Sequence, residues 1–272
     1  MEHELSPAIR GLIAFAIYGS TFFSLERLFP LHRRVRKIRP ALATDLTHLF
    51  VTRLLVNLIV GAVVFGFVVK SMEAGFFAQG RATVESWPMF IHVIVFMLYW
   101  SFVSYWDHRL SHRWQWRWKF HAIHHSAKEM DWLVSPRLHP IDQAIHRLIQ
   151  FAPPLFIGIH IEAIIPYLAL AGILALLYHA NVRWSLGSFN VLIASTHWHH
   201  WHHALEPRNK NFSGLFPIWD LLFGTYYCPK DEWPTAYGIS EDIDENWLAH
   251  MRYPFQAALS KHSRMLRNPE NL

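Results

Sequence analysis

This sequence reads as an all-α, integral membrane helical bundle with a histidine-rich polar cap, for three reasons. Long apolar runs recur along the 272 residues, which are 52% hydrophobic and only 17% charged. The charge that is present collects between those runs, and the mean hydropathy of +0.13 suits a chain that is half membrane segment and half cap. Finally, eight histidines fall into three groups with helical spacing: His108/His112, His121/His124/His125 and His199/His202/His203. On a helix, positions i, i+3 and i+4 share a face, so each group is expected to aim its imidazoles at one point. Neutral imidazole is above all a metal ligand.

The length suits one domain, 1–272, with a substantial core. The acidic start MEHELSPAIR has no A-x-A site after the first apolar run, so no cleaved signal peptide is expected. The single cysteine, Cys228, rules out an internal disulfide and a thiolate metal site, and suits a reducing compartment. The net charge of +5 lies in local runs that read as topology signals, so no nucleic-acid partner is expected.

The first apolar run, 11–25, has 15 residues and is short for a full crossing. The loop after it, RLFPLHRRVRKIRP, packs Arg27, Arg33, Arg34, Arg36, Lys37 and Arg39 around two prolines, which places it in the cytoplasm. A second run covers 54–69, and 70–87 is expected as the loop on the opposite side. The third run, 88–105, is broken only by His92 and leads without glycine or proline into Asp107, His108 and His112. Two crossings separate it from the basic loop, so the histidines and that loop should share the cytoplasmic face. WQWRWKF then alternates Trp114, Trp116 and Trp118 with cations, a composition for the headgroup zone. The run 148–178 is too short for two perpendicular spans, while one span would strand the third histidine group on the wrong side. A bent or re-entrant hairpin, broken at Pro153–Pro154 and Pro166, keeps the histidines together. From 181 onwards the chain is polar and aromatic, with no further span expected.

Eight imidazoles exceed what one tetrahedral zinc can use, so two metals are implied. Imidazole suits zinc, copper, iron and nickel alike, and spacing does not choose among them. A histidine-rich metal transporter would need ionisable residues along a path through the spans, where only His92, His160 and Glu162 lie. A zinc hydrolase would need a glutamate base inside a motif such as H-E-x-x-H, and there is none.

The motifs YWDHRLSH (105–112), FHAIHHS (120–126), RLHPID (137–142), YHANVRW (178–184), HHWHH (199–203) and NFSGLFPIWDLLFGTY (211–226) resemble those of one family. It is the fatty acid hydroxylase/sterol desaturase superfamily of integral-membrane di-iron enzymes. The resemblance covers about 30–227 and leaves 228–272 as a polar tail. It implies a helical membrane base, a cytosolic histidine-lined cap, two non-haem iron ions and O₂ as co-substrate. The substrate would be a membrane-dissolved lipid that is hydroxylated or desaturated. The same resemblance implies ligand roles for His108, His112, His121, His124, His125, His199, His202 and His203, with His179 as a ninth.

Where relatives often carry Thr-Pro before the third group, this chain has Ser195-Thr196-His197-Trp198. His197 and His200 are therefore extra and could compete with His199. His139 is a candidate ligand or neighbour of one. Asp142 and Asp220 could accept the second N–H of a ligating imidazole and fix its tautomer, while Asn211 and Gly214 are expected to shape the loop after the third group. His3, His32, His48, His92, His146, His160, His250 and His262 have no clustered partner in the sequence and are read as ordinary. No G-x-G-x-x-G motif opens a helix after a strand and no C-x-x-C-H appears, so electrons should come from a separate redox partner.

Overall fold

The computed structural model describes residues 6–33, 40–73 and 78–256. The cationic residues 34–39 of the basic loop lie outside them, as do His3, His262 and 257–272. The regular structure among the described residues is helical, with two isolated bridges, Pro30 to Val182 and Ala204 to Tyr237, and no strand.

Helix α1 spans Pro7–Leu28, longer than its apolar run, because Ser6 caps it through the Ile9 amide and Pro7 opens it. Helix α2 (Leu42–Thr47) passes through a π turn, His48–Thr52, into α3 (Arg53–Glu73). The stretch expected as a plain loop contains α4 (Ala78–Glu85). Helix α5 (Met89–Arg113) is the uninterrupted exit the sequence predicts, and α6 (Gln115–His125) folds back from it at Trp114. Helices α7 (Pro140–Ile157) and α8 (Ile161–His179) form the hairpin, followed by the short helices α9 (Thr196–His202), α10 (Ile218–Leu222) and α11 (Trp247–Arg252). Among the described residues, three helices are long and apolar enough to cross a membrane: Leu42–Gly66, Met89–Arg113 and Ile161–His179.

The hairpin turns at Gly158, not at the prolines. Gly158 ends α7 with φ +100°, and a Cβ there would stand 3.1 Å from the Arg81 carbonyl oxygen. Arg81 in turn donates to the carbonyls of Leu155 and Phe156, at 2.8 and 3.1 Å, and so caps α7 with a cation. Pro153 stays inside the helix although it cannot donate to Ile149. The hydroxyl of Tyr99 donates to that carbonyl instead, at 2.5 Å, and ties α5 to α7.

At the other end, Arg137 grips Asp45 through two bonds of 2.6 and 2.8 Å, with both side chains fully buried. The pair joins α2 to the loop before α7. His32 meets Asn181 and Tyr237, so the described start of the basic loop lies at the histidine end. Residues 228–256 do not hang free: Ile243 and Tyr253 pack on Ala122 and Ile123, and His250 meets His48.

Candidate metal centre

Four helix ends converge to build the site. His108 and His112 occupy the last two turns of α5. Trp114, in extended conformation, reverses the chain so that α6 returns beside α5 with His121, His124 and His125. His179 is the last residue of α8. Helix α9 begins where Ser195 accepts from the Trp198 amide and donates to Asn190, and it presents His199, His202 and His203.

These nine imidazoles form two groups, each with its nitrogens within 4.8 Å of one another. One holds His108, His112, His121, His125 and His202; the other holds His124, His179, His199 and His203. The H-x-x-H-H triplets therefore do not each aim at one point. Helical residues turn about 100° per step, so i and i+4 stay within about 40° of each other while i+3 falls to one side. His121 and His125 go to the first group and His124 to the second. His199 and His203 go to the second group and His202 to the first. Each helix thus lends its odd histidine to its neighbour's group.

The backs of the rings are committed. Nδ1–H of His108 donates to Phe212 O (2.9 Å), that of His124 to Arg137 O (3.3 Å), that of His179 to Ala175 O (2.7 Å) and that of His202 to Lys210 O (2.7 Å). His121 donates to the carboxylate of Asp142 at 2.8 Å. Those oxygens only accept, so the proton sits on Nδ1 and the lone pair of Nε2 points inward. In each group two such rings face each other: His108 and His121 with Nε2 atoms 3.1 Å apart, and His124 and His179 also at 3.1 Å. His199 and His203 stand 3.0 and 3.1 Å from His179.

Lone pairs opposed at this distance repel unless a cation lies between them. The spacing is the edge that ligand nitrogens at about 2.1 Å from a metal keep between themselves. Burial, reinforced by neighbouring imidazoles, holds His124, His125, His199, His202 and His203 well below the usual imidazole pKa. They are neutral at pH 7, the form that binds metal. The residues present fit two metal ions.

Behind the first group lies a charged layer that the sequence reading missed. His146 faces Asp107 through Nδ1 and Asp142 Oδ1 through Nε2 (3.3 Å), and Arg117 pairs with Asp107. An imidazole with a carboxylate at each nitrogen carries both protons, so two carboxylates and two cations balance in the interior. The signal for His146 was its place four residues after Asp142 on one helix face.

The other expectations resolve individually. Asp142 receives an imidazole N–H. Asp220 receives none: it accepts from the amides of Phe212 and Ser213 and the hydroxyl of Thr225, at 2.8, 2.8 and 2.6 Å. It shapes the loop whose Phe212 carbonyl holds His108. Asn211, at φ +61°, clamps the same loop to Trp198 and Tyr227, whereas a Cβ on Gly214 would meet nothing. His139, His197 and His200 lie outside both groups. His139 caps α7 through the Ile141 amide; His197 faces Ser185, and His200 meets Tyr237 and Ala180. Of the remaining histidines, His48 pairs with His250 (3.0 Å) and His92 stacks on His160 (4.2 Å between rings), so neither pair is partnerless.

Residues 93–225 match the fatty acid hydroxylase family. The chain is 28% identical over 239 residues to ornithine lipid hydroxylase OlsE of Rhizobium tropici, covering 85% of this chain and 71% of that protein. Human alkylglycerol monooxygenase is 27% identical over 153 residues, which is 53% of this chain and 32% of that one. Methylsterol monooxygenase 2-2 of Arabidopsis thaliana is 27% identical over 137 residues, 49% of this chain and 51% of its own. The chain thus spans about a third of the human enzyme and half of the plant enzyme. No solved structure matches. The family match covers both histidine groups and the loop behind them, so residues 93–225 are those of a fatty acid hydroxylase domain.

Proposed function

We propose that this protein is an O₂-dependent, non-haem di-iron enzyme that oxidises a C–H bond of a lipid dissolved in the membrane. The observation that carries the reading is the opposed pair of Nε2 lone pairs in each histidine group. His108, His112, His121, His125 and His202 would hold one iron, and His124, His179, His199 and His203 the other. The chemistry an iron pair supplies when bound is reduction of O₂ coupled to removal of hydrogen from an unactivated C–H bond.

The chain's own part is to hold nine neutral nitrogens in fixed tautomers, to exclude water, and to set the site beside the bilayer. His108 and His112 stand in the last turns of a helix long and apolar enough to cross a membrane, and the exposed Trp114 and Trp116 follow at once. A membrane lipid can therefore reach the site without passing through water. For hydroxylation, RH, O₂, two electrons and two protons give ROH and water. A separate reductase, ferredoxin or cytochrome partner would supply the electrons. The basic loop argues for a cytoplasmic cap.

Lipid mass spectrometry of cells making the chain, compared with cells making His124→Ala, tests the reading. One lipid class should gain an oxygen or lose two hydrogens only with the unaltered chain. Identical lipid profiles would count against it.

A further inference from the structure

The stretch after the third histidine group reads as polar cap in the sequence, but it does not stay in the cap. The ring of Phe212 lies 5.0 Å from that of His112 and 5.7 Å from that of His108. Three residues on, Leu215 packs into the apolar cluster of Phe96 on α5 and Ile164 and Tyr167 on α8. Phe96 precedes His108, and Tyr167 precedes His179, by twelve helical residues. Phe96 sits about 18 Å below His108 at 1.5 Å per helical residue, but three residues of chain reach at most about 11 Å from Phe212, so Leu215 meets the near edge of that cluster.

The chain then climbs back along α5. Trp219 donates its indole N–H to Ser101 at 2.8 Å and lays its ring 5.0 Å from Phe102. Phe223 stands 5.4 and 4.9 Å from the rings of Tyr105 and Trp106. Irregular backbone at such depth needs its polar groups paired. Asp220 accepts from Phe212 and Ser213, its carbonyl takes the amides of Thr225 and Tyr226, and Leu215 O accepts from Ala194 at 2.9 Å.

That last bond links the loop to a neighbouring turn, Gly187–Val191, and the residues after it. Between 212 and 223 the only charged residue is the buried Asp220, and 187–193 have none. Leu222 is 63% and Leu192 59% exposed, comparable with Leu98 at 61% on the outer face of α5.

We propose that residues 212–223, with 187–193 beside them, form a re-entrant element embedded in the leaflet that holds the histidine ends of α5 and α8. Its outward face contacts lipid acyl chains. The element extends an apolar wall from Phe212, at the histidines, towards the bilayer interior, and gives a lipid tail a surface to follow.

The test reconstitutes the unmodified protein in phosphatidylcholine vesicles doped with a lipid carrying a photoactivatable diazirine on its acyl chain. Adducts are mapped by peptide mass spectrometry. Label should appear on 187–193 and 218–223 as well as on α3, α5 and α8; label confined to the three helices would overturn the proposal. A second measurement places nitroxides at Leu222, Leu192, Leu98 or Arg208 through single cysteines in a Cys228→Ser background that retains its metal. Leu222 and Leu192 should match Leu98, accessible to O₂ and shielded from a water-soluble nickel chelate. Chelate access like that of Arg208 would overturn the proposal. So would shielding from both probes, since that would mean a second copy of the chain covers the face.

Discussion

His124 and His179 face each other through Nε2 atoms 3.1 Å apart, while Nδ1 of each donates to a backbone carbonyl, Arg137 O and Ala175 O respectively. Neither ring can turn to offer a proton to the other without abandoning a buried acceptor. Only a cation between them satisfies both nitrogens.

The exchange of odd histidines between helices has a direct consequence. His124→Ala and His125→Ala alter adjacent positions but different groups. Each is expected to reduce metal content from about two ions per chain towards about one, leaving the opposite ion. Elemental analysis gives the count, and the iron spectra of the two variants should differ. Identical spectra would mean that adjacent histidines serve one ion.

Asp142 fixes the tautomer of His121 and is itself shared with His146. Asp142→Asn puts an amide where the carboxylate stood and removes its charge. Metal affinity is expected to fall about 10–100-fold. His146→Gln should weaken binding less, because it acts through Asp142. Chelator competition measures both.

The buried Asp45–Arg137 pair holds the loop whose carbonyl orients His124. Asp45→Leu leaves a guanidinium uncompensated in the interior and should cost about 3–5 kcal/mol of stability. The double variant Asp45→Leu/Arg137→Leu should be milder. Unfolding in detergent micelles checks the order, and a single variant as stable as the parent would refute it.

The basic loop and the histidine end should share the cytoplasmic side. Reporter fusions after Arg39 and after Lys128 are expected to behave alike, and one after Gly80 oppositely. His32 at Asn181 and Arg81 at the far end of α7 support that arrangement.

What was legible in the sequence was whatever is encoded within one helix turn. The spacings of His108/His112, His121/His125 and His199/His203 show on the page because i and i+4 need only their own helix. The placing of His124 and His202 does not, because it depends on how α5, α6, α8 and α9 meet. The i+4 spacing of His146 from Asp142 was on the page, but its second partner was not, since Asp107 lies 39 residues away. The hairpin was legible from length, but its turn was misplaced: a proline looks like a break until Tyr99 is found supplying the bond it forfeits. Residues 212–223 looked like cap because serine, glycine and aspartate interrupt their apolar residues. Asp220 spends its charge on the loop's own backbone, which no local pattern announces.

Oxidation of a membrane lipid with O₂ by two histidine-held irons is the activity proposed for this protein. Its most direct test is turnover by purified, iron-loaded protein in lipid vesicles, with a supplied reductase system and ¹⁸O₂. About two irons per chain are expected. Product should form only with both O₂ and reductant, carrying ¹⁸O if an alcohol and unlabelled if an alkene. Undiminished turnover under strict anaerobiosis, or without any reductant, would contradict it.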